Sequence, residues 1–102
     1  MNNKVLIKLL VPATGQTYDI FIPVNELVWK INKLIVKAIS DISDNIINPQ
    51  NKYVFVNKNT NKIYESNDII INTDIRNGTE LILLKVEWLY EYRTTSRSKP
   101  AY

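Results

Sequence analysis

The chain has 102 residues, of which 45% are hydrophobic, and a formal net charge of +3. This length supplies one domain with a single core, and the composition is typical of a globular protein. Cysteine and histidine are absent, which excludes disulfides, cysteine chemistry and the commonest general base. No apolar run approaches the ~20 residues that cross a bilayer, and the N-terminus lacks the long apolar core of a signal peptide. We therefore expect a cytoplasmic protein.

The first apolar segments alternate with a period of two residues and predict a β-hairpin. Residues 4–11 are the first predicted strand and residues 16–22 the second, and a turn containing Gly15 joins them. Odd-numbered residues of the first strand are expected to face the core, since Lys8 marks the other face as the outer one. Pro23 ends the second strand.

Residues 25–40 follow, and they alone have a convincing helical periodicity. Asn25 is a candidate N-cap, and Glu26 places negative charge in the first turn, where the helix dipole favours it. One broad apolar stripe is expected to pack on the sheet. It consists of Leu27, Val28, Ile31, Leu34, Ile35, Ala38, Ile39 and Ile42. One helix must therefore cover the apolar face of all the strands.

The second half of the chain contains three further predicted strands. These are residues 52–56, a short strand at residues 62–65, and residues 79–86. The short strand is expected at a sheet edge, and the last strand at the centre because its apolar run is the most continuous. Residues 66–77 read as a loop that contains one short helical turn. The order is hairpin, helix, strand, short strand, loop and strand, which is that of the β-grasp fold.

Two short runs carry a family resemblance. They are Gly15-Gln16-Thr17-Tyr18-Asp19-Ile20, followed by Ile22-Pro23, and Asp74-Ile75-Arg76-Asn77-Gly78-Thr79-Glu80-Leu81. With them, residues 4–86 resemble ubiquitin, and within that superfamily the chain is more similar to the YukD/EsaB family. The resemblance implies an α+β fold, a β-grasp with a mixed sheet of four to five strands on one main helix. Residues 1–86 would form this domain, and residues 87–102 a partly disordered C-terminal tail.

The resemblance also implies a function. YukD/EsaB-like proteins are small cytosolic accessory components of type VII secretion systems, which export WXG substrates from Gram-positive bacteria. It implies a protein-interaction module that binds cytosolic domains of membrane components, in the cytoplasm or at the inner face of the membrane. Conjugation as in ubiquitin requires a flexible tail ending in Gly-Gly, and residues 87–102 contain no glycine. A ubiquitin-like modifier or carrier is therefore the less favoured alternative.

No motif in the sequence supports catalysis. The aspartates and glutamates accompany neither a nucleophile nor a metal-ligand spacing, and Asp41 and Asp44 lack the rest of a calcium loop. Gly15 and Gly78 are isolated turn residues and do not form a phosphate-binding loop. We expect no enzymatic activity, cofactor, metal or small-molecule substrate. A nucleic-acid-binding regulator is a further alternative, which the tail disfavours because three basic residues there stand against two acidic ones.

Two surfaces are expected to bind protein. Trp29 and Val36 project from the helix opposite the apolar stripe, beside Lys33, and tryptophan is enriched in binding hot spots. A protein partner, a second copy in a homodimer, and packing under a loop or the tail are open alternatives for Trp29. The other surface is the outer sheet face, which either binds a partner or lies under the tail. Its apolar residues are Leu6, Leu10, Phe21, Val54, Val56, Ile82 and Leu84.

Overall fold

The chain folds into a four-stranded mixed sheet that a single helix covers on one face. The computed structural model describes residues 3–44 and 46–89. In chain order the elements are β1 (Lys4–Val11), β2 (Gln16–Pro23), α1 (Val28–Ile42), β3 (Tyr53–Asn57) and β4 (Glu80–Lys85). Short 3₁₀ turns lie at Ile70–Asn72, where the sequence predicts a helical turn, and at Val86–Trp88. No helix in the described part of the chain is long and apolar enough to span a membrane.

Strand β4 lies inside the sheet, as its apolar run predicts. The strand order is β2-β1-β4-β3. β1 runs antiparallel to β2 and parallel to β4, and β3 runs antiparallel to β4. Strands β2 and β3 are therefore the two edges of the sheet.

The prediction of a strand at residues 62–65 is wrong. This segment forms one isolated bridge, between Val56 and Ile63. The next residue, Tyr64, is buried, and its hydroxyl donates to the Asp74 carboxylate at 2.6 Å. Because this side chain is drawn into the core, the segment leaves the sheet after a single bridge.

The core lies between the sheet and α1, and the predicted alternation of β1 is confirmed. Ile7, Leu9 and Val11 are 0% exposed and face the helix, whereas Lys8 is exposed. Phe55 of β3 is also fully enclosed. The buried residues of α1 and β4 that complete this cluster are Val28, Ile31, Ile35, Val36, Ile39, Leu81 and Leu83.

Helix α1 is rotated about its axis relative to the predicted stripe. Leu34 and Ile42 are 65% and 68% exposed, and Ala38 between them is exposed as well. Val36 and Ser40, by contrast, are only 5% and 2% exposed. The prediction that Val36 lies outside the core is therefore wrong, and so is the prediction that Leu34, Ala38 and Ile42 are buried.

The helix also begins later than predicted. Its N-cap position is Leu27, which makes no side-chain capping bond, and no acidic residue lies in its first turn. The predicted roles of Asn25 and Glu26 are thus wrong. The physical reason is that Leu27 is extended and forms a β-bridge with Ile69, so the helix starts only after it.

Backbone carbonyls of a distant loop replace the side-chain cap. The N–H of Val28 donates to the Asp68 carbonyl at 2.8 Å, and the N–H of Trp29 donates to the Ser66 carbonyl at 3.1 Å. These bonds satisfy N–H groups that a helix start otherwise leaves without a partner. They anchor the first turn to this loop and thereby fix the rotation of the whole helix.

Two isoleucines one turn apart test this rotation. Ile39 is 2% exposed and Ile42 is 68% exposed. We expect Ile39→Ala to lower the free energy of unfolding by about 2–5 kcal/mol, because it removes buried methyl groups and leaves a cavity. Ile42→Ala, which is the same substitution on the same helix, should change it by less than ~0.5 kcal/mol. Urea denaturation measures both values, and equal losses would contradict the rotation.

Candidate protein-binding surfaces

Helix α1 separates two grooves. The first, of about 800 Å³, runs between α1 and β3, and we call it the Trp29 groove. The second, of about 560 Å³, runs between α1 and β2, and we call it the β2 groove. The grooves differ in chemistry, because aromatic and basic side chains line the first and mainly aliphatic ones line the second.

Aromatic side chains give the Trp29 groove its apolar surface. Trp29 is 43% exposed, so the prediction that its side chain lies outside the core is confirmed. The Lys30 ammonium lies 5.8 Å from the centre of its ring, which is within the range of a cation–π contact. Tyr53 and Tyr64 line the groove from the side of β3. A half-exposed indole facing other aromatic rings is a surface suited to an apolar anchor from a partner.

The charges around this groove are positive. Lys33 and Lys52 are exposed lining residues, and neither forms an ion pair with any residue in the described part of the chain. Lys37 is also there, but it lies 3.8 Å from the Asp41 carboxylate. The rim therefore carries a net positive charge, which favours an acidic partner.

The floor of the Trp29 groove is rigidly built. Val36, predicted as an exposed contact, is buried beneath it and belongs to the core. The side-chain amide of Asn32 donates to the backbone carbonyl of Tyr53 at 2.9 Å, which ties α1 to the edge of β3. A partner would therefore meet a preformed surface, which lowers the entropic cost of binding.

Tyr64, which lines this groove, belongs to a hydrogen-bond network. Its hydroxyl donates to Asp74 and accepts a bond from the Asn57 side-chain amide at 3.0 Å. Burial raises the pKa of Tyr64 to about 12, and the hydrogen bond to Asp74 acts in the same direction. Both effects disfavour the phenolate, so Tyr64 is held in its neutral, donating form.

The raised pKa of Tyr64 predicts a loss of stability in alkali. The unfolded chain releases this proton near the ordinary value of 10.0, whereas the folded protein holds it to about 12. The stabilisation is therefore complete below pH 10.0 and is lost as the pH rises through about 12. In an ultraviolet titration, one tyrosine should ionise later than the others, and Tyr64→Phe should remove that late step. Loss of an early step instead would show that the network is absent in solution.

The outer sheet face is largely covered. Ile82 and Leu84 are only 5% and 4% exposed, so they are not the accessible contacts that the sequence predicts. Leu89, just past β4, packs against the cluster they form with Val56, and so do Leu10, Val54 and Ile63. This contact favours the alternative in which the chain after β4 covers the face. Residues 90–102, which include the rest of the predicted tail, lie outside the described residues.

Phe21 alone among the predicted outer-face contacts remains widely accessible. It is 63% exposed on edge strand β2. The structure does not bring it together with Trp29, because the two lie on opposite faces of the sheet. The predicted contacts thus divide between a groove, a covered face and a separate edge.

Sequence reasoning missed two features of these surfaces. Lys52 and Tyr53 join the Trp29 groove only because α1 packs beside β3, which no local pattern reports. Leu34, Ala38 and Ile42 line the β2 groove because the helix is rotated. The sequence does contain a sign that part of the stripe is exposed, since Val36 makes the apolar arc of α1 wider than one sheet face can cover. In the described part of the chain, no three acidic side chains come together as metal ligands.

Solved structures share this architecture. The ubiquitin-like domain of the type VII secretion protein EccD1 of Mycobacterium tuberculosis aligns with a TM-score of 0.63 and 12% identity, over 83% of this chain and all of that one (100%). The N-terminal ubiquitin-like domain of the 4931431F19Rik protein gives 0.57 and 19% over 83% and 77%. The chain has the ubiquitin-like β-grasp fold. Its one helix and mixed sheet confirm the fold class predicted from the sequence.

A further similar structure belongs to a membrane assembly. A chain of the ESX-5 inner membrane complex, solved free of MycP5, aligns with a TM-score of 0.66 and 9% identity. The alignment covers 96% of this chain but only 28% of that chain, so the similarity concerns one part of a larger protein. No protein-family model and no curated protein sequence matches the chain.

Proposed function

We propose that this protein is a non-conjugated ubiquitin-like interaction module, an accessory component of a type VII secretion system of the YukD/EsaB kind in a Gram-positive bacterium. Its partners are cytosolic domains of membrane components, so it acts in the cytoplasm or at the inner face of the membrane, and not as an enzyme. Support comes from the shared fold of the EccD1 domain and of part of an ESX-5 complex chain.

The observation that carries an interaction function is the Trp29 groove. Trp29 remains 43% exposed although the core is complete without it. Lys33 and Lys52, which form no ion pair within residues 3–44 and 46–89, lie on the rim of the same groove. An aromatic anchor with a basic rim is the arrangement expected of a protein-binding hot spot, since the ring supplies affinity and the charges select the partner.

Two tryptophans of matched exposure test this site. Trp29 is 43% and Trp88 is 42% exposed, and each has a lysine ammonium over its ring, at 5.8 Å and 5.4 Å. We expect Trp29→Ala to weaken binding of cytosolic domains of type VII membrane components from the same host by ~2 kcal/mol or more, about 30-fold in Kd. Its melting temperature should stay close to that of the wild type. Trp88→Ala should leave the affinity unchanged in the same calorimetric titration.

Two outcomes would overturn these assignments. If the wild-type protein binds none of those cytosolic domains, the secretion role is wrong. If Trp29→Ala melts much earlier while its binding is intact, Trp29 is a packing residue and the groove is not the site. Equal losses from both tryptophan variants would also reject the groove.

The absence of conjugation has a direct test. A tagged copy expressed in its host should migrate as one band near the sum of 11.9 kDa and the mass of the tag, because nothing in residues 87–102 offers a Gly-Gly carboxylate to an activating enzyme. Denaturing electrophoresis after boiling with reductant measures this. A ladder of heavier bands that survives the treatment, and that disappears when the last residues are deleted, would support a modifier instead.

A further inference from the structure

The turn before β4 contains an asparagine followed by a glycine. Asn77 and Gly78 are both exposed. Asparagine is a thermolabile residue, because the next backbone nitrogen can attack the carbonyl carbon of its side chain and release ammonia. A following glycine favours this attack, since it has no Cβ to obstruct the approach. The intrinsic chemistry of these two residues therefore favours a spontaneous covalent change.

The backbone of β1 binds both reacting groups. The carbonyl of Leu6 accepts from the N–H of Gly78 at 2.8 Å, and the N–H of Leu6 donates to the side-chain oxygen Oδ1 of Asn77, also at 2.8 Å. A single residue of β1 thus holds the attacking nitrogen and the amide that it would attack. We call this pair of bonds the Leu6 clamp.

Two reciprocal bonds close the turn itself. The N–H of Arg76 donates to the hydroxyl oxygen of Thr79 at 2.8 Å, and the N–H of Thr79 donates to the carbonyl of Arg76 at 3.0 Å. Gly78 between them has a φ of +87°, which glycine adopts without strain. The carbonyl of Thr79 then accepts from the N–H of Lys8 at 3.0 Å. The turn is therefore fixed both within itself and against β1.

The Leu6 clamp opposes the attack at each of its steps. The Gly78 nitrogen must lose a proton that is bonded to the Leu6 carbonyl. This nitrogen must also turn toward the side chain of Asn77, which pulls its N–H away from Leu6. The side chain of Asn77 must approach that nitrogen, whereas its oxygen is held by the N–H of Leu6. Since each movement breaks a hydrogen bond, β1 has to leave the turn before the reaction begins.

We infer that Asn77-Gly78 is a site of spontaneous modification, and that the Leu6 clamp controls its reactivity. When the clamp opens, the Gly78 nitrogen bonds to Cγ of Asn77, the Cγ–Nδ2 bond breaks, and the proton of the nitrogen leaves with the amide as ammonia. Water then opens the succinimide ring. Cleavage between the nitrogen and Cγ yields aspartate, and cleavage between the nitrogen and the main-chain carbonyl carbon yields isoaspartate. Water is the only co-reactant.

The two products affect the clamp in opposite ways. Aspartate keeps an oxygen in the place of Oδ1, so it accepts from the N–H of Leu6 again, and its charge strengthens that bond. Isoaspartate directs the main chain through the former side chain of Asn77, which lengthens the turn by one carbon atom. The lengthened turn no longer matches Leu6. One product therefore restores the clamp, and the other abolishes it.

The clamp can open while the sheet stays intact. The parallel ladder between β1 and β4 begins at the pair of Lys8 and Glu80. Leu6 lies before this ladder, and it is also paired with Phe21 of β2. Because local openings cost less free energy than global unfolding, Leu6 and the turn can separate without loss of the core. The modification rate should therefore depend on the bonds of the turn more than on the stability of the whole protein.

Mass spectrometry of the digested whole chain tests this inference. The protein is kept in mild alkali below its melting temperature, and aspartate and isoaspartate at position 77 are quantified over time. We expect the folded protein to react about tenfold or more slowly than the same chain in concentrated urea, because only the open fraction reacts. Asn77→Gln is the blank, since its longer side chain closes the corresponding ring far more slowly.

Two threonine variants separate the turn from a general loosening of loops. Thr79→Val removes the oxygen that accepts from Arg76 at 2.8 Å. Thr60→Val is the same substitution in another loop, where it removes an acceptor of the Lys62 N–H at 3.3 Å. Each folded rate is divided by the rate of the same variant in urea, which cancels direct effects on the chemistry. Thr79→Val should raise this ratio about threefold or more, and Thr60→Val should leave it unchanged.

Two further variants test the local nature of the opening and the role of the acceptor. Ile39→Ala destabilises the core but touches no bond of the turn. At a temperature where this variant remains folded, its rate ratio should equal that of the wild type. Asn77→Asp, which is one of the two products, should melt at the wild-type temperature because its carboxylate still accepts from Leu6.

Several results would overturn the inference. Equal rates in the folded and the denatured chain would show that the clamp does not protect the site. If the denatured chain is not modified either, Asn77-Gly78 is not a reactive site. If Ile39→Ala accelerates the reaction as much as Thr79→Val does, global unfolding controls it. Equal effects of the two threonine variants would also reject control by this turn.

Discussion

The first turn of α1 is bonded to a loop that lies far along the chain. Because Val28 and Trp29 donate to the carbonyls of Asp68 and Ser66, the helix has one rotation, and everything on its surface follows from that rotation. Trp29 faces β3, whereas Leu34 faces β2. One capping interaction thus decides which chemistry each side of the helix presents, and it separates an aromatic, basic groove from an aliphatic, neutral one.

Four of the five predicted strands could be identified from the sequence because their signal is local. The period-two alternation of β1 and the continuous apolar run of β4 each depend on burial of adjacent residues, and both are confirmed. The rotation of α1 about its axis could not be predicted, because its apolar arc includes Val36 as well as Leu34 and is wider than the sheet covers. A helical wheel cannot show which residues of such a wide arc are buried. Asn25, likewise, loses its capping role to a pairing of residues 24–27 with a loop that is distant in sequence.

The same difference between local signals and contacts with distant residues explains which features of the binding surfaces could be predicted. Trp29 was identifiable because it lies outside the stripe that the sequence predicts, and it stays half-exposed although Val36, two turns along the same line of the helix, is buried. Ile82 and Leu84 were correctly assigned to the outer face, but they are covered in part by Leu89. Leu89 lies outside β4, so the two-residue alternation of the strand does not predict its position. The bonds that close the edge of β3 could not be predicted from the sequence, since Asn32 and Tyr64, which make them, belong to other parts of the chain.

The closed edge of β3 also limits how such domains assemble. A sheet that is open at both ends permits head-to-tail addition without limit, and an interface of that kind produces filaments. With the Asn32 amide bonded to the Tyr53 carbonyl and the N–H of Tyr64 bonded to Phe55, the β3 edge of this sheet is not available for such addition. Head-to-tail stacking of such sheets is therefore blocked on this side, because one of the two edges that it needs is already bonded within the chain.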